Sequence, residues 1–227
     1  VKAVYKKSKE ISFNHFGSLS DTRSLAPFLR DCLTFCGLHP EALEALKINV
    51  FGVLNLDAEA SKLVASEPRL QKMLVLHGRL ERDSVTGMSG RERVCQEMSR
   101  SDLLLLIHGQ NSWCEEYIPS KVYEYFWAGR PVFGLTYHNA QLDQLITERG
   151  GYVARSGDSE ATVIQLEKIW QAWGSDGLVG SDRGGISIKA TVNKIVEKVL
   201  GQREGDRLEP TRPQRSGKAI YLRLLAY

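Results

Sequence analysis

Short β-rich runs that alternate with longer amphipathic ones predict an α/β fold: a single doubly wound parallel sheet of about six strands with helices on both faces. The longest apolar run, Leu103 to Ile107, is far below the ~18 residues a membrane-spanning helix needs and reads as a buried strand. With 227 residues, 42% hydrophobic and 25% charged, the chain has globular composition and enough length for one sizeable core.

In chain order, the first strand is expected over Ile11 to Phe16. A helix over Thr22 to Cys36 follows, with Asp21 as N-cap because a short acidic side chain can accept an orphan N–H of the first turn. Next come a strand over Ile48 to Val53, a helix over Ala58 to Ser66 and a strand over Met73 to Gly78. The helix Gly90 to Arg100 is announced by Ser89 with Glu92 three residues on, a capping box in which the two residues satisfy each other's backbone N–H. The buried strand runs over Asp102 to His108. Pro119 suits a first helical position, where its missing N–H costs nothing, so a helix is expected over Pro119 to Ala128. Gly129 can take the left-handed conformation that ends it, and Pro131 opens a strand to Leu135. A helix over Ala140 to Arg149, a strand over Gly151 to Ala154 and helices over Glu160 to Trp173 and Ile188 to Leu200 complete the series, with Gly201 as the last stop. One domain is thus expected over 1–200, followed by a basic, loose tail over 201–227.

That tail holds six Lys or Arg and three acids, which accounts for the whole net charge of +3 and leaves the body neutral. A neutral body without a basic face lacks the electrostatic footprint of nucleic-acid binding, so no nucleic-acid partner is expected. The cysteines Cys32, Cys36, Cys95 and Cys114 show no metal-ligand spacing, and Cys32 and Cys36 read as helix-face neighbours in a reducing cytosol. The first residues lack a signal-peptide apolar region, and the chain opens without Met, as a fragment or processed product does. The closing Ala219 to Tyr227 is apolar beside Lys218 and Arg223; it suits a membrane surface, a partner-domain cover or a remnant without function. The expected location is cytoplasmic, with peripheral contact at the inner membrane face.

The most informative stretch is Glu116-Tyr-Ile-Pro-Ser-Lys-Val-Tyr-Glu124, which sets two carboxylates eight residues apart around a helix start. Glu116 falls in the loop before the helix and Glu124 inside it. Between them, the backbone N–H groups of Ser120 and Lys121, the positive helix end and the Lys121 ammonium suit a diphosphate. The carboxylates suit vicinal hydroxyls, as sugars carry. In a 3-2-1-4-5-6 sheet the winding reverses between strands one and four, opening a crevice at their carboxyl ends. Gly17-Ser18 and the Gly109 to Ile118 loop both start there. His15, His77, His108 and His138 lie along the same edge, where each is a ligand contact or a coincidence; a metal would need three to converge. Tyr123, Tyr125, Phe126 and Trp127 read as helix packing, and Trp113 as a pocket wall or a mobile lid.

This segment resembles the donor-binding signature of the retaining glycosyltransferases of family four, which pair two Rossmann-like domains in the GT-B architecture. The resemblance runs from about Glu10 to about Leu200 and implies residue roles. Glu116 is the carboxylate facing the transferred hexose and the catalytic candidate, with Glu115 beside it able to take the same role, Ser120 and Lys121 approach the phosphates, and Glu124 binds the ribose. Phe13-Asn-His-Phe-Gly-Ser-Leu19 is similar to the family's first strand and phosphate loop, which assigns Gly17 and Ser18 to the donor. Many relatives carry an Arg directly after that glycine, where this chain has Ser18; Arg23 is the replacement candidate, and the site is expected to be less cationic. His77-Gly-Arg-Leu80 matches the loop near the nucleobase, making Arg79 a base or phosphate contact.

The resemblance implies the donor-binding half of an enzyme that moves a hexose from a nucleotide sugar to an acceptor with retention of configuration, as in polysaccharide or glycolipid synthesis. No cofactor or metal is required in that scheme, the partner is an N-terminal acceptor domain, and this chain alone is expected to bind donor without efficient turnover. Two other readings stand beside it: a sugar-nucleotide epimerase or hydrolase of the same architecture, and a non-catalytic interaction domain.

Overall fold

In chain order the elements are β1 (Ile11–Phe16), α1 (Ala26–Leu38), α2 (Ala42–Ala45), β2 (Leu46–Phe51), α3 (Ala58–Ser66), α4 (Pro68–Met73), β3 (Leu74–Gly78), α5 (Gly90–Arg100), β4 (Leu103–Ile107), a 3₁₀ turn (Ser112–Glu115), α6 (Lys121–Ala128), β5 (Val132–Thr136), α7 (Ala140–Thr147), β6 (Tyr152–Arg155) and α8 (Ser159–Gly174). This computed structural model describes residues 8–52, 55–175, 177–181 and Val196. The chain divides into a unit over Val1–Gly184 and a second over Gly185–Tyr227. The helix expected over Ile188 to Leu200, apart from Val196, and the tail over 201–227 lie outside the described residues.

The strands form one sheet in the order β3-β2-β1-β4-β5-β6, and every neighbouring pair is parallel. This is the expected doubly wound, Rossmann-like α/β sheet. Alternation along the strands separates its faces. Phe13 packs its ring against Phe28 of α1 and Phe133 of β5, in a core that also takes Leu166 and Ile169 of α8. Phe16, three residues on, meets Tyr125 of α6 on the opposite face. Gly134, next to Phe133, is bare on the side where Ile146 of α7 presses against the strand. Helices therefore cover both faces. The five residues of β4 are all buried, as a central strand sandwiched between helix layers requires.

Local signals and long-range contacts share the work of setting element ends. At Ser89 the capping box forms as expected, and Gly129 ends α6 at φ 71°. Asp21, by contrast, caps nothing: α1 starts at Ala26 with Pro27 in its first turn. Residues 20–23 instead close a turn in which the Arg23 N–H bonds the Ser20 carbonyl at 2.8 Å. The α1 start is held by Asp57, whose carboxylate accepts from Ser24 Oγ at 2.9 Å and the Leu25 N–H at 3.4 Å while also capping α3. Pro119 likewise stands one residue before the α6 N-cap, Ser120, and its carbonyl accepts the Val122 N–H at 3.0 Å. Strand β2 begins and ends two residues earlier than expected, and Gly52, at φ 114°, follows its last residue. The short helices α2 and α4 and the 3₁₀ turn were not foreseen.

Candidate functional site

At the carboxyl edge, glycines follow or close the first three strands. The Gly17 N–H donates to the Phe51 carbonyl and the Gly52 N–H to the Gly78 carbonyl, each at 2.7 Å. Gly17 sits at φ 121°, and a Cβ there would collide with the Lys121 ammonium. A Cβ on Gly52 would come within 3.1 Å of Gly17 Cα. The result is a shelf of bare backbone, with Lys121 of α6 laid back across it.

Two clefts open on this shelf. One, of about 660 Å³, runs between Phe16-Gly17, Phe51-Gly52, the Arg79 to Arg82 loop, Arg91 and Glu124. The other, of about 500 Å³, lies between Arg23, His108-Gly109, Trp113 and Tyr117. Both are lined by Ser120 and Lys121, so they meet at the α6 N-terminus. There the N–H groups of Val122 and Tyr123 already bond the Pro119 and Ser120 carbonyls, and no hydrogen bond among the described residues uses those of Ser120 or Lys121.

The meeting point is short of negative charge. Burial, then the Arg23 guanidinium, lowers the Lys121 pKa to about 8 against the pull of Glu124. Beneath it His15 is buried, with Nδ1 against the Leu105 carbonyl at 3.0 Å and Nε2 without a hydrogen bond. Burial first and the Lys121 charge second lower its pKa to about 3, opposed by the bond to the Leu105 carbonyl, so the ring is neutral. Two cations held together in a partly desolvated site favour an anion between them.

Cations outnumber acids in the lining of the first cleft, and they come from the β3–α5 loop, Arg91 of α5 and Lys121 of α6 and not from the position after Gly17. Arg79, Arg82, Arg91 and Lys121 face only Glu81 and Glu124 among its lining residues. Arg91 Nη2 donates to Glu124 Oε1 at 3.1 Å, and Arg79 pairs with Glu81 at 3.4 Å. The cleft wall is stiffened by a ring stack at the sheet edge, Phe16 on Phe51 at 4.6 Å and Phe51 on His77 at 4.3 Å. A polar ladder runs across the strands below it: His77 Nε2 bonds Asn49 Oδ1 at 2.8 Å, Asn49 Nδ2 donates to Asn14 Oδ1 at 2.8 Å, and Asn14 Nδ2 donates to Ser101 Oγ at 2.7 Å.

Of the residues singled out in the sequence, Gly17, Arg79, Ser120, Lys121 and Glu124 line the first cleft, and Arg23 the second. Ser18 and Glu116 are exposed and line neither; Glu116 ends the 3₁₀ turn. His15 and His108 are built into the fold. His108 Nε2 bonds the Tyr117 carbonyl at 3.1 Å and its Nδ1 accepts the Tyr137 N–H at 3.4 Å. Asn139 Nδ2 donates to the same Tyr117 carbonyl at 3.1 Å and to that of Cys114 at 2.8 Å. This pair, with the Gln110 N–H on the Thr22 carbonyl at 3.0 Å, pins the loop between β4 and α6. Asn139 and Arg91 were not anticipated; the run of arginines from Arg79 to Arg93 was the available signal for the latter.

No protein-family model and no curated protein sequence matches this chain. Solved structures do. TarM aligns at TM-score 0.55 and 16% identity over 88% of this chain and 36% of its own. The pneumococcal O-GlcNAc transferase GtfA, in complex with UDP and GlcNAc, aligns at 0.52 and 16% over 90% and 38%. The α,α-trehalose 6-phosphate synthase of Burkholderia multivorans aligns at 0.56 and 10% over 87% and 44%. The chain thus spans less than half the length of each neighbour, and what it shares with these proteins is the Rossmann-like fold.

Proposed function

We propose that the paired clefts bind a nucleoside-diphospho-sugar and that this chain is the donor-binding half of a retaining glycosyltransferase. The observation that carries this reading is the junction of the clefts at Ser120 and Lys121. A diphosphate there meets two unbonded N–H groups, the positive helix end, Lys121 and Arg23, and each cleft takes one end of the donor. The first cleft takes the nucleoside, with Glu124 accepting the ribose hydroxyls and Arg79 beside the base. The second takes the hexose. GtfA, of the same fold, was solved with UDP, which supports a diphosphate donor.

In this reading the leaving diphosphate is stabilised by helix-end N–H groups and side-chain cations, without a required metal. Glu116 is exposed on the pinned β4–α6 loop and lines neither cleft, so its contact to the hexose forms only when an acceptor domain outside these residues closes the donor against it, and the chain alone binds and does not turn over efficiently. Among the described residues no helix is long and apolar enough to cross a membrane; the proposed location is cytoplasmic, with peripheral membrane contact.

The test is calorimetric titration with UDP, GDP, ADP, dTDP and their hexose conjugates, repeated with Glu124→Ala. Saturable binding of one nucleotide, weakened about tenfold by loss of the charge-assisted bond, is expected. Absence of binding by all of them up to millimolar concentration refutes a preformed donor site. An inverted anomer made by the full enzyme would exclude the retaining mechanism.

A further inference from the structure

Two large aromatic side chains, Trp113 at 74% and Tyr117 at 55% exposure, stand in solvent on the loop between β4 and α6. Both line the second cleft together with Arg23 and Lys121. Their exposure does not come from a loose loop. The Tyr117 carbonyl takes two hydrogen bonds, from His108 and Asn139, and the Cys114 carbonyl a third. Cys114 itself is buried, its sulfur 3.0 Å from the place a Cβ on Gly109 would occupy. The Trp113 carbonyl is also engaged, by the Tyr117 N–H at 3.2 Å, and the Tyr117 ring lies nearly parallel to that of His108. A rigid mount that holds apolar rings out in water, at the wall of a cleft that cations also line, has the form of a binding surface.

The chemistry of the cleft selects the ligand. Its walls combine the rings with the polar side chains of Thr22, Asn111, Ser120 and Lys121. A pyranose matches such a lining, with C–H groups on one face for the negative π surface of an aromatic ring and hydroxyls around its edge for polar partners. A planar base would also stack on aromatic rings and bond polar groups at its edge, but the first cleft, with Arg79 for the base and Glu124 for the ribose, takes the nucleoside in the reading above and leaves this one to the sugar. We propose that Trp113, supported by Tyr117, is a stacking platform for the hexose, and that it determines how strongly the sugar part of the donor is held. The platform rests on the donor-site reading above and adds to it a residue that acts on the sugar and not on the nucleotide.

The experiment separates the two parts. Wild type, Trp113→Ala and Trp113→Phe are titrated with UDP, GDP, ADP and dTDP and with the glucose conjugate of each, and the readout is the affinity ratio of conjugate to bare diphosphate. Trp113→Ala lowers that ratio about fivefold, within the range of one aromatic contact, and Trp113→Phe keeps most of it. Conjugate binding in the wild type also changes the intrinsic fluorescence, and the change disappears in both variants. An unaltered ratio in Trp113→Ala, with the diphosphate still bound, overturns the platform, leaves the donor site standing and assigns the exposed rings to a covering domain. Failure of every diphosphate to bind the wild type overturns both.

Discussion

The hydroxyl of Tyr125 accepts the Phe16 N–H at 3.0 Å and so ties the end of β1, one residue before Gly17, to the helix that carries Lys121 and Glu124. Its own proton points to the Leu105 carbonyl of β4 at 3.4 Å. One buried phenol therefore joins the two strands between which the winding reverses to the helix that starts at their edge. Tyr125→Phe keeps the ring and removes the oxygen, leaving a buried N–H unpaired. A loss of about 1–3 kcal/mol in chemical denaturation is expected, with weaker nucleotide binding because Gly17 and Lys121 are no longer held in register. A variant as stable as the wild type would show that the hydroxyl only fills space.

Lys121 is expected to make donor binding depend on pH. Its pKa is lowered from 10.5 to about 8, so below about 8 both folded and unfolded chains carry the proton and the penalty for burying the charge is fully present. Between about 8 and 10.5 the folded chain releases its proton first, and stability rises with pH across that window. A bound diphosphate favours the charged form, so its affinity falls as pH passes about 8. Titrations from pH 7 to 9.5 are expected to show the decline in the wild type, and Lys121→Gln to bind about tenfold more weakly at pH 7 and to lose the decline.

Gly17→Ala is expected to damage site and fold together. The new methyl group would need φ near 121° and would strike the Lys121 ammonium, at about 1–3 kcal/mol for the backbone strain. Gly37 offers the comparison: it lies in α1, and a Cβ there meets nothing within 4 Å. Gly37→Ala is expected to stabilise by about 0.5–1 kcal/mol through helix propensity and to leave binding as it was. Equal effects at the two positions would remove the special role of Gly17.

What the sequence made legible follows the range of each interaction. The capping box at Ser89 and Glu92 spans three residues and was readable, as were the αL stop at Gly129 and the alternation that orders six strands. The start of α1 was misplaced because Asp57, more than thirty residues from Leu25, supplies the bond that Asp21 was expected to make. In the site, Gly17, Ser120, Lys121 and Glu124 sit on one sheet edge and one helix start, where pattern and winding agree. Arg91 escaped because its orientation toward Glu124 depends on how α5 meets α6. Tyr125 read as packing because its ring does pack, while the partner of its hydroxyl lies 109 residues away in sequence.

His15 is expected to make the fold sensitive to acid. Buried with one nitrogen on the Leu105 carbonyl and the other unbonded, it is neutral down to about pH 3 in the folded chain, whereas the unfolded chain protonates it near 6.5. Above 6.5 neither state takes the proton and stability is undiminished; as pH falls from 6.5 toward 3 the unfolded state gains protons that the folded state cannot, and stability drops. His77 and His108, both lowered chiefly by burial, act in the same direction. His15→Gln removes the titrating group from the same place. Its stability at pH 7.5 is expected to be lower, through the lost ring packing and the altered bond to Leu105, while its slope of unfolding free energy between pH 6.5 and 4.5 is flatter than in the wild type. Urea denaturation at half-unit pH steps measures both quantities. Parallel slopes would mean that protonation of His15 is not what destabilises the fold in acid, and the loss would then belong to the other groups whose pKa the fold lowers, among them His77, His108, Asp83 and Glu92.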